Sequence, residues 1–169
     1  MSPRSAALGS LVFFVIAPSV VSGAVPWLIS GWRIAVGLPG WWPVVAVLGW
    51  LLIAAGVAVL VAGFARFVTE GRGTPAPVAP PTTLVIGGMF AWVRNPMYVA
   101  NIAVIAGQAA VLGRWDLLIY GSVVGLTMFG FVKGYEEPAL AATFGDQYAD
   151  YRRRVPGWWP RWPRPRTPG

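Results

Sequence analysis

The chain contains no cysteine and no histidine, and only 11% of its 169 residues are charged. Without cysteine there are no disulfides and no thiolate nucleophiles. Without histidine there are no Ser-His or Cys-His relays and almost no transition-metal sites, so no metal is expected. Any chemistry must run on Glu, Asp, Tyr, Arg, Lys and amides. Ordinary soluble domains carry about 25% charged residues. Here the scarcity of charge is matched by 56% hydrophobic residues and a mean hydropathy of +0.62. The chain is therefore read as membrane-embedded.

Charge-free runs locate the spans: Ser5–Trp32, Ile34–Ala65, Asn95–Gly113 and Leu117–Val132. A bilayer-spanning helix needs roughly 20 apolar residues. The first two runs exceed this. The last two are shorter and, joined only by Arg114-Trp115-Asp116, predict a tight helical hairpin. The expected fold is all-α, an integral membrane protein with four transmembrane helices over 8–29, 43–65, 96–113 and 117–133. A cytoplasmic loop with an interfacial segment is expected over 66–95, a C-terminal cytoplasmic or interfacial helix over 138–154, and a basic, aromatic tail over 155–169. A cleaved signal peptide is the alternative for the first segment, but its apolar stretch is much longer than the ~7–15 residues of a signal core.

Eleven of the thirteen basic residues fall on one side of such a bundle, with Arg33 and Arg114 alone on the other. The positive-inside rule then puts both termini in the cytoplasm, in a bacterial inner membrane. Anionic lipid headgroups account for the net charge of +7, and no nucleic-acid partner is expected. Pro39, Gly40 and Pro43 mark an outer turn, with Trp41-Trp42 suited to an interfacial aromatic belt. Gly49, Ala54, Ala55, Gly56, Ala58, Ala62 and Gly63 give the second helix a small-residue face for close packing.

Proline and glycine keep the stretch from Glu70 to Pro81 out of helix. The last helix is expected to begin with Pro138 in its first turn, Glu136 and Glu137 just before it and arginines at its end. Leu140, Phe144, Tyr148 and Tyr151 share one of its faces.

Two polar clusters flank the predicted hairpin. Arg94-Asn95-Pro96-Met97-Tyr98 precedes it and Glu136-Glu137 follows it. Each has a plain structural explanation. Arg94 can meet headgroups while Asn95-Pro96 starts a helix and Tyr98 joins the aromatic belt, and acids at a helix N-terminus are favourable by ~0.3–1 kcal/mol each. The combination says more, because both clusters lie at the same end of one hairpin. Together they supply a cation, an amide, a phenol and two carboxylates beneath hydrophobic helices.

The ordered pattern Leu84-Val85, Gly88, Phe90-Ala91-Trp92, Arg94-Asn95-Pro96, Tyr98, then Glu136-Glu137, Leu140, Phe144-Gly145, Tyr148, Tyr151 and Val155-Pro156 resembles the isoprenylcysteine carboxyl methyltransferase and phospholipid methyltransferase superfamily. These are small integral-membrane enzymes that use S-adenosylmethionine. The resemblance covers about Thr82–Pro156. It implies S-adenosylmethionine contacts from Thr82, Thr83, Leu84, Val85, Phe90, Asn95, Pro96, Met97, Tyr98 and Glu136, with Arg94, Tyr98 and Glu137 as the groups closest to the chemistry.

Three positions depart from the family pattern. Phe90 stands where tyrosine is frequent, which leaves stacking but no hydroxyl. Asn95 stands where histidine is frequent, and an amide does not titrate near neutral pH. Val132 stands where the eukaryotic carboxyl methyltransferases place a substrate-binding arginine, with Lys133 adjacent but projecting in another direction.

Methyl transfer from a sulfonium suits this inventory, since the cofactor carries the electrophile and the leaving group. On this reading Glu136 holds the ribose hydroxyls or the amino group. Arg94 and Asn95 hold the methionyl carboxylate or fix the loop, Tyr98 and Phe90 wall the adenosine or methyl, and Glu137 is the reserve base. The acceptor is a lipophilic, lipid-like molecule entering laterally from the membrane lipids. The rival is a non-catalytic membrane scaffold or lipid-binding module retaining the fold. A nicotinamide-dependent oxidoreductase is disfavoured by the lack of basic residues from Thr82 to Tyr98, apart from Arg94.

Overall fold

The computed structural model describes residues 16–69 and 83–162. Thr82, the start of the first expected helix and the end of the tail lie outside the described residues. Within them every regular element is helical and no strand occurs. Backbone polar groups in hydrocarbon must be satisfied within their own segment, and long apolar runs do this as helices.

The elements are α1 (Ile16–Ser30), α2 (Trp42–Thr69), a 3-10 turn at Gly88–Ala91, α3 (Pro96–Leu112), α4 (Trp115–Phe131) and α5 (Glu137–Arg154). Two helical runs are long and apolar enough to cross a membrane, Trp42–Arg66 with 25 residues and Trp115–Arg154 with 40, whereas Ile16–Ser30 and Pro96–Leu112 are shorter apolar helices.

The α2–α3 seam is built on glycine. Gly49, Gly56 and Gly63 are seven residues apart on α2. Seven residues are close to two helical turns, so the three form one stripe. A Cβ added at Gly49 would lie 2.7 Å from the Gly107 carbonyl oxygen, at Gly56 2.9 Å from the Ala100 carbonyl oxygen, and at Gly63 2.9 Å from Met97 Cγ. The relation is reciprocal: a Cβ at Gly107 would lie 2.6 Å from the Gly49 carbonyl oxygen. Backbone therefore meets backbone, which is how helices gain dispersion contact where lipid removes the hydrophobic drive to associate.

Helix α1 is held differently. Its π-helical turn at Val20–Ala24 leaves carbonyls that other helices take up. Tyr120 Oη donates to the Val21 carbonyl at 2.8 Å, and Gln108 Nε2 donates to that of Ser22 at 2.6 Å. Ser22 Oγ donates to Asn101 Oδ1 at 2.6 Å. Each bond satisfies a polar group that apolar surroundings would otherwise penalise by several kcal/mol.

The end of the hairpin differs from the sequence expectation. The two acids do not precede a fresh helix. They lie inside a continuous helical run, because a π-helical turn at Val132–Glu136 links α4 to α5. The wide turn just before Pro138 absorbs the amide hydrogen that proline lacks, so the chain continues without a break. Glu136 and Glu137 thus cap no free helix end, and the macrodipole explanation for them lapses. A kink comes later, at Gly145, where φ +49 and ψ −124 require glycine.

The glycine seam generates a paired prediction. Gly56→Leu is expected to cost more than about 2 kcal/mol, seen as a clear drop in unfolding temperature in detergent. Gly130→Ala, where an added Cβ meets nothing within 4 Å, is expected to leave that temperature unchanged or raise it.

Candidate active site at the end of the helical hairpin

Pro96 fixes the first turn of α3, where its missing amide hydrogen has no intrahelical partner to lose. That places Arg94 and Asn95 just before the helix and Tyr98 one turn inside it. The Gly113 cap in left-handed conformation and the Arg114–Asp116 pair turn the chain back at the far end. Helix α4 then returns to deliver Glu136 and Glu137 beside Tyr98 and Arg94.

Two linked clusters result. In the first, Arg94 Nη1 donates to Glu137 Oε1 at 3.1 Å and to Tyr148 Oη at 3.0 Å, while its Nε donates to the Val155 carbonyl at 3.0 Å. The ion pair is nearly dry, with side-chain exposures of 9% for Arg94 and 7% for Glu137. Lys133 Nζ adds bonds of 3.0 Å to both Glu137 oxygens, and Arg152 approaches to 3.9 Å. Burial alone would raise the Glu137 carboxyl. The Lys133 hydrogen bond and the charges of Arg94, Lys133 and Arg152 outweigh it and hold the group below the usual carboxylate range.

In the second cluster Tyr98 Oη donates to Glu136 Oε2 at 3.0 Å. Burial, with help from the neighbouring Glu137 charge, pushes the Glu136 carboxyl above its ordinary range, against the opposing hydrogen bond from Tyr98. The two adjacent acids are thus driven in opposite directions. Glu137 is an ion-paired anion, and Glu136 is a partly buried carboxyl that accepts from Tyr98.

Aromatic groups roof the second cluster. Trp158 stacks on Tyr98 with centroids 6.3 Å apart and lies 5.6 Å from Phe129. The segment that carries it runs alongside the start of α3. The amide of Arg94 donates to the Pro156 carbonyl at 2.9 Å, and the Asn95 amide and Nδ2 donate to that of Gly157 at 3.2 and 3.1 Å.

The other residues named from sequence have their own packing partners. Leu84 and Ile86 pack on the buried cluster of Tyr148, Tyr151 and Val155, together with Leu140 and Phe144. Val85 and Phe90 are buried, and the Phe90 carbonyl accepts from Tyr151 Oη at 2.6 Å. Burial raises both the Tyr148 and the Tyr151 hydroxyls above the ordinary phenol range. Thr83 is exposed, Pro96 is buried, and Met97 packs on Gly63 of α2.

Tyr98 and Glu136 therefore meet directly, Arg94 and Glu137 meet beside them, and Asn95 holds the tail. Sequence reasoning passed over Trp158, Phe129 and the Val155 and Gly157 carbonyls. An aromatic tail without periodicity gave no signal beyond interfacial anchoring.

A pH consequence follows from Glu137. A carboxyl depressed by folding contributes stability that is present above the unfolded value near 4.3 and is lost as pH falls through the lower folded value. Unfolding temperature is expected to drop on acidification below about pH 4.3, and Glu137→Gln is expected to cost about 3 kcal/mol at neutral pH by stranding Arg94 and to flatten that acid limb in a pH series of melting curves.

Residues 44–147 match the family described as Phospholipid methyltransferase. The Protein-S-isoprenylcysteine O-methyltransferase of Mus musculus is 38% identical over 77 residues, covering 44% of this chain and 26% of that protein. The protein of the same name from Schizosaccharomyces pombe is 36% identical over 73 residues, covering 43% of this chain and 31% of that protein. The matched region spans about a quarter to a third of the length of these relatives. With the family match running through α2, the hairpin and most of α5, the chain belongs to the phospholipid methyltransferase family.

Proposed function

We propose that this chain is a membrane-embedded methyltransferase that moves a methyl group from S-adenosylmethionine to a lipophilic acceptor. All four apolar helices cross the bilayer on this reading, with both termini and the site at the cytoplasmic face. The observation that carries it is the contact between Tyr98 and Glu136, groups 38 residues apart that meet at 3.0 Å beneath aromatic rings. The family match and the basic bias of one membrane side support it.

The residues suit such a ligand. Glu136 offers an acceptor to ribose hydroxyls or an amino group, Tyr98 and Trp158 offer ring faces, and the buried Trp158 Nε1 has no protein partner among the described residues. S-adenosylmethionine, when bound, supplies both the electrophilic methyl and its leaving group. The chain supplies orientation and exclusion of water, and good positioning alone is worth about 7–11 kcal/mol.

Roles follow the geometry. Tyr98 and Glu136 contact the ligand. Asn95 fixes the tail segment over the site. Arg94, with three of its contacts inside the protein, braces the loop in place of a carboxylate-binding role. Glu137, neutralised by three cations, leaves Glu136 as the carboxylate able to take a proton from an amine acceptor. The family resemblance would add ligand contacts from Thr83, Leu84, Val85, Phe90, Pro96 and Met97, with Thr82 beyond the described residues.

Calorimetry with S-adenosylhomocysteine tests this reading. Micromolar binding is expected in detergent, weakened at least tenfold by Glu136→Gln. Because folding raises the Glu136 carboxyl, its ionised form opposes stability at neutral pH, and the neutral amide is expected to keep or raise the unfolding temperature. A variant that melts early yet binds normally would favour the non-catalytic scaffold.

A further inference from the structure

Three tryptophans stand close together in the tail, at 158, 159 and 162, and the structure separates one of them from the rest. Trp159 is 82% exposed and Trp162 80% exposed, as expected of headgroup anchors. Trp158 turns inward instead. Its segment is pinned on both sides, by Pro156 and Gly157 to Arg94 and Asn95, and by the Arg161 amide to the Trp92 carbonyl at 3.1 Å. The ring is thereby set against Tyr98 and Phe129, with 30° and 39° between the ring planes. Its indole N–H is buried without an acceptor among the described residues, an arrangement that folding alone does not reward.

Three aromatic rings and one partly buried carboxylate make up the composition that recognises an onium cation. Ring quadrupoles attract a cation within about 6 Å of the centroid, and the attraction grows when water is excluded. The Glu136 carboxylate, bonded to Tyr98 at 3.0 Å, lies at one end of this aromatic group and adds net negative charge. A neutral thioether gains nothing comparable.

Resting on the methyltransferase reading, we propose that Trp158, with Tyr98, Phe129 and the Glu136 carboxylate, forms a cage that selects the cationic sulfonium of the methyl donor over the neutral thioether of its product. Trp158 is thus a ligand-contacting residue supplied by the tail. Its strap, tied to Arg94 and Asn95, couples cofactor discrimination to the docking of the C-terminal segment. A methyltransferase so built releases its product more readily than its donor.

The test compares affinities of the full-length, detergent-solubilised protein for S-adenosylmethionine and S-adenosylhomocysteine, measured by calorimetry. Trp158→Leu is expected to weaken the sulfonium about fivefold more than the thioether, while Trp158→Phe keeps the preference within about twofold. Phe129→Leu, at a half-exposed ring, provides a second variant with the same expected direction should Trp158→Leu fold poorly. An equal change for both ligands, or none, would overturn the cage. So would an unchanged sulfonium preference accompanied by loss of tetramethylammonium binding to the thioether complex, which would assign the rings to an ammonium acceptor. Wild-type protein that binds neither nucleoside would overturn the methyltransferase reading itself, and the cage with it.

Discussion

The Arg94–Glu137 ion pair is the contact on which the site depends. It joins the segment before α3, the turn after α4 and, through the Val155 carbonyl, the start of the tail. A buried pair of this kind is costly to assemble and more costly to break, because either partner alone would be a dry charge. Its contribution is registry more than net stability. Tyr148, Lys133 and Arg152 complete its coordination, so Glu137 is fully engaged and its neighbour Glu136 is left facing Tyr98. One carboxylate fixes the geometry that leaves the other beside Tyr98.

The membrane supplies the second constraint. With lipid on the outside, helices α2 and α3 associate through glycine and backbone, and α1 attaches through serine, glutamine and tyrosine bonds. Neither device needs a large apolar core. Among the described residues the buried Arg94–Glu137 pair and the Tyr98–Glu136 contact lie together at one end of the hairpin, in a chain without histidine or cysteine. Group transfer from an activated donor demands placement more than acid–base power, and this inventory can supply it.

How much of this was legible in the sequence depended on the physical signal available. The helical class is written in charge-free runs, because only a helix satisfies a lone apolar segment in hydrocarbon. The proximity of Arg94 and Tyr98 to Glu136 and Glu137 follows from a hairpin with a three-residue connection, which returns the chain to the side it left. The π-helical turn at Val132–Glu136 carries no such mark, since Pro138 after two acids reads equally well as a helix start. The occupation of Arg94 by internal partners was also hidden, because the Val155 carbonyl that it binds has no side-chain signature. Trp158 was indistinguishable from Trp159 until the backbone pairing with Arg94 and Asn95 set its direction.

The most direct measurement of the central claim is transfer of a radiolabelled methyl group from S-adenosylmethionine into the lipid-extractable fraction of membranes containing the wild-type protein. Label that accumulates with wild type, and falls to background with Tyr98→Ala in protein that remains folded, is the predicted result. Undiminished transfer by Tyr98→Ala, or no transfer by folded wild type across lipid mixtures rich in amine, carboxylate and hydroxyl headgroups, would contradict an active site built on Tyr98 and Glu136.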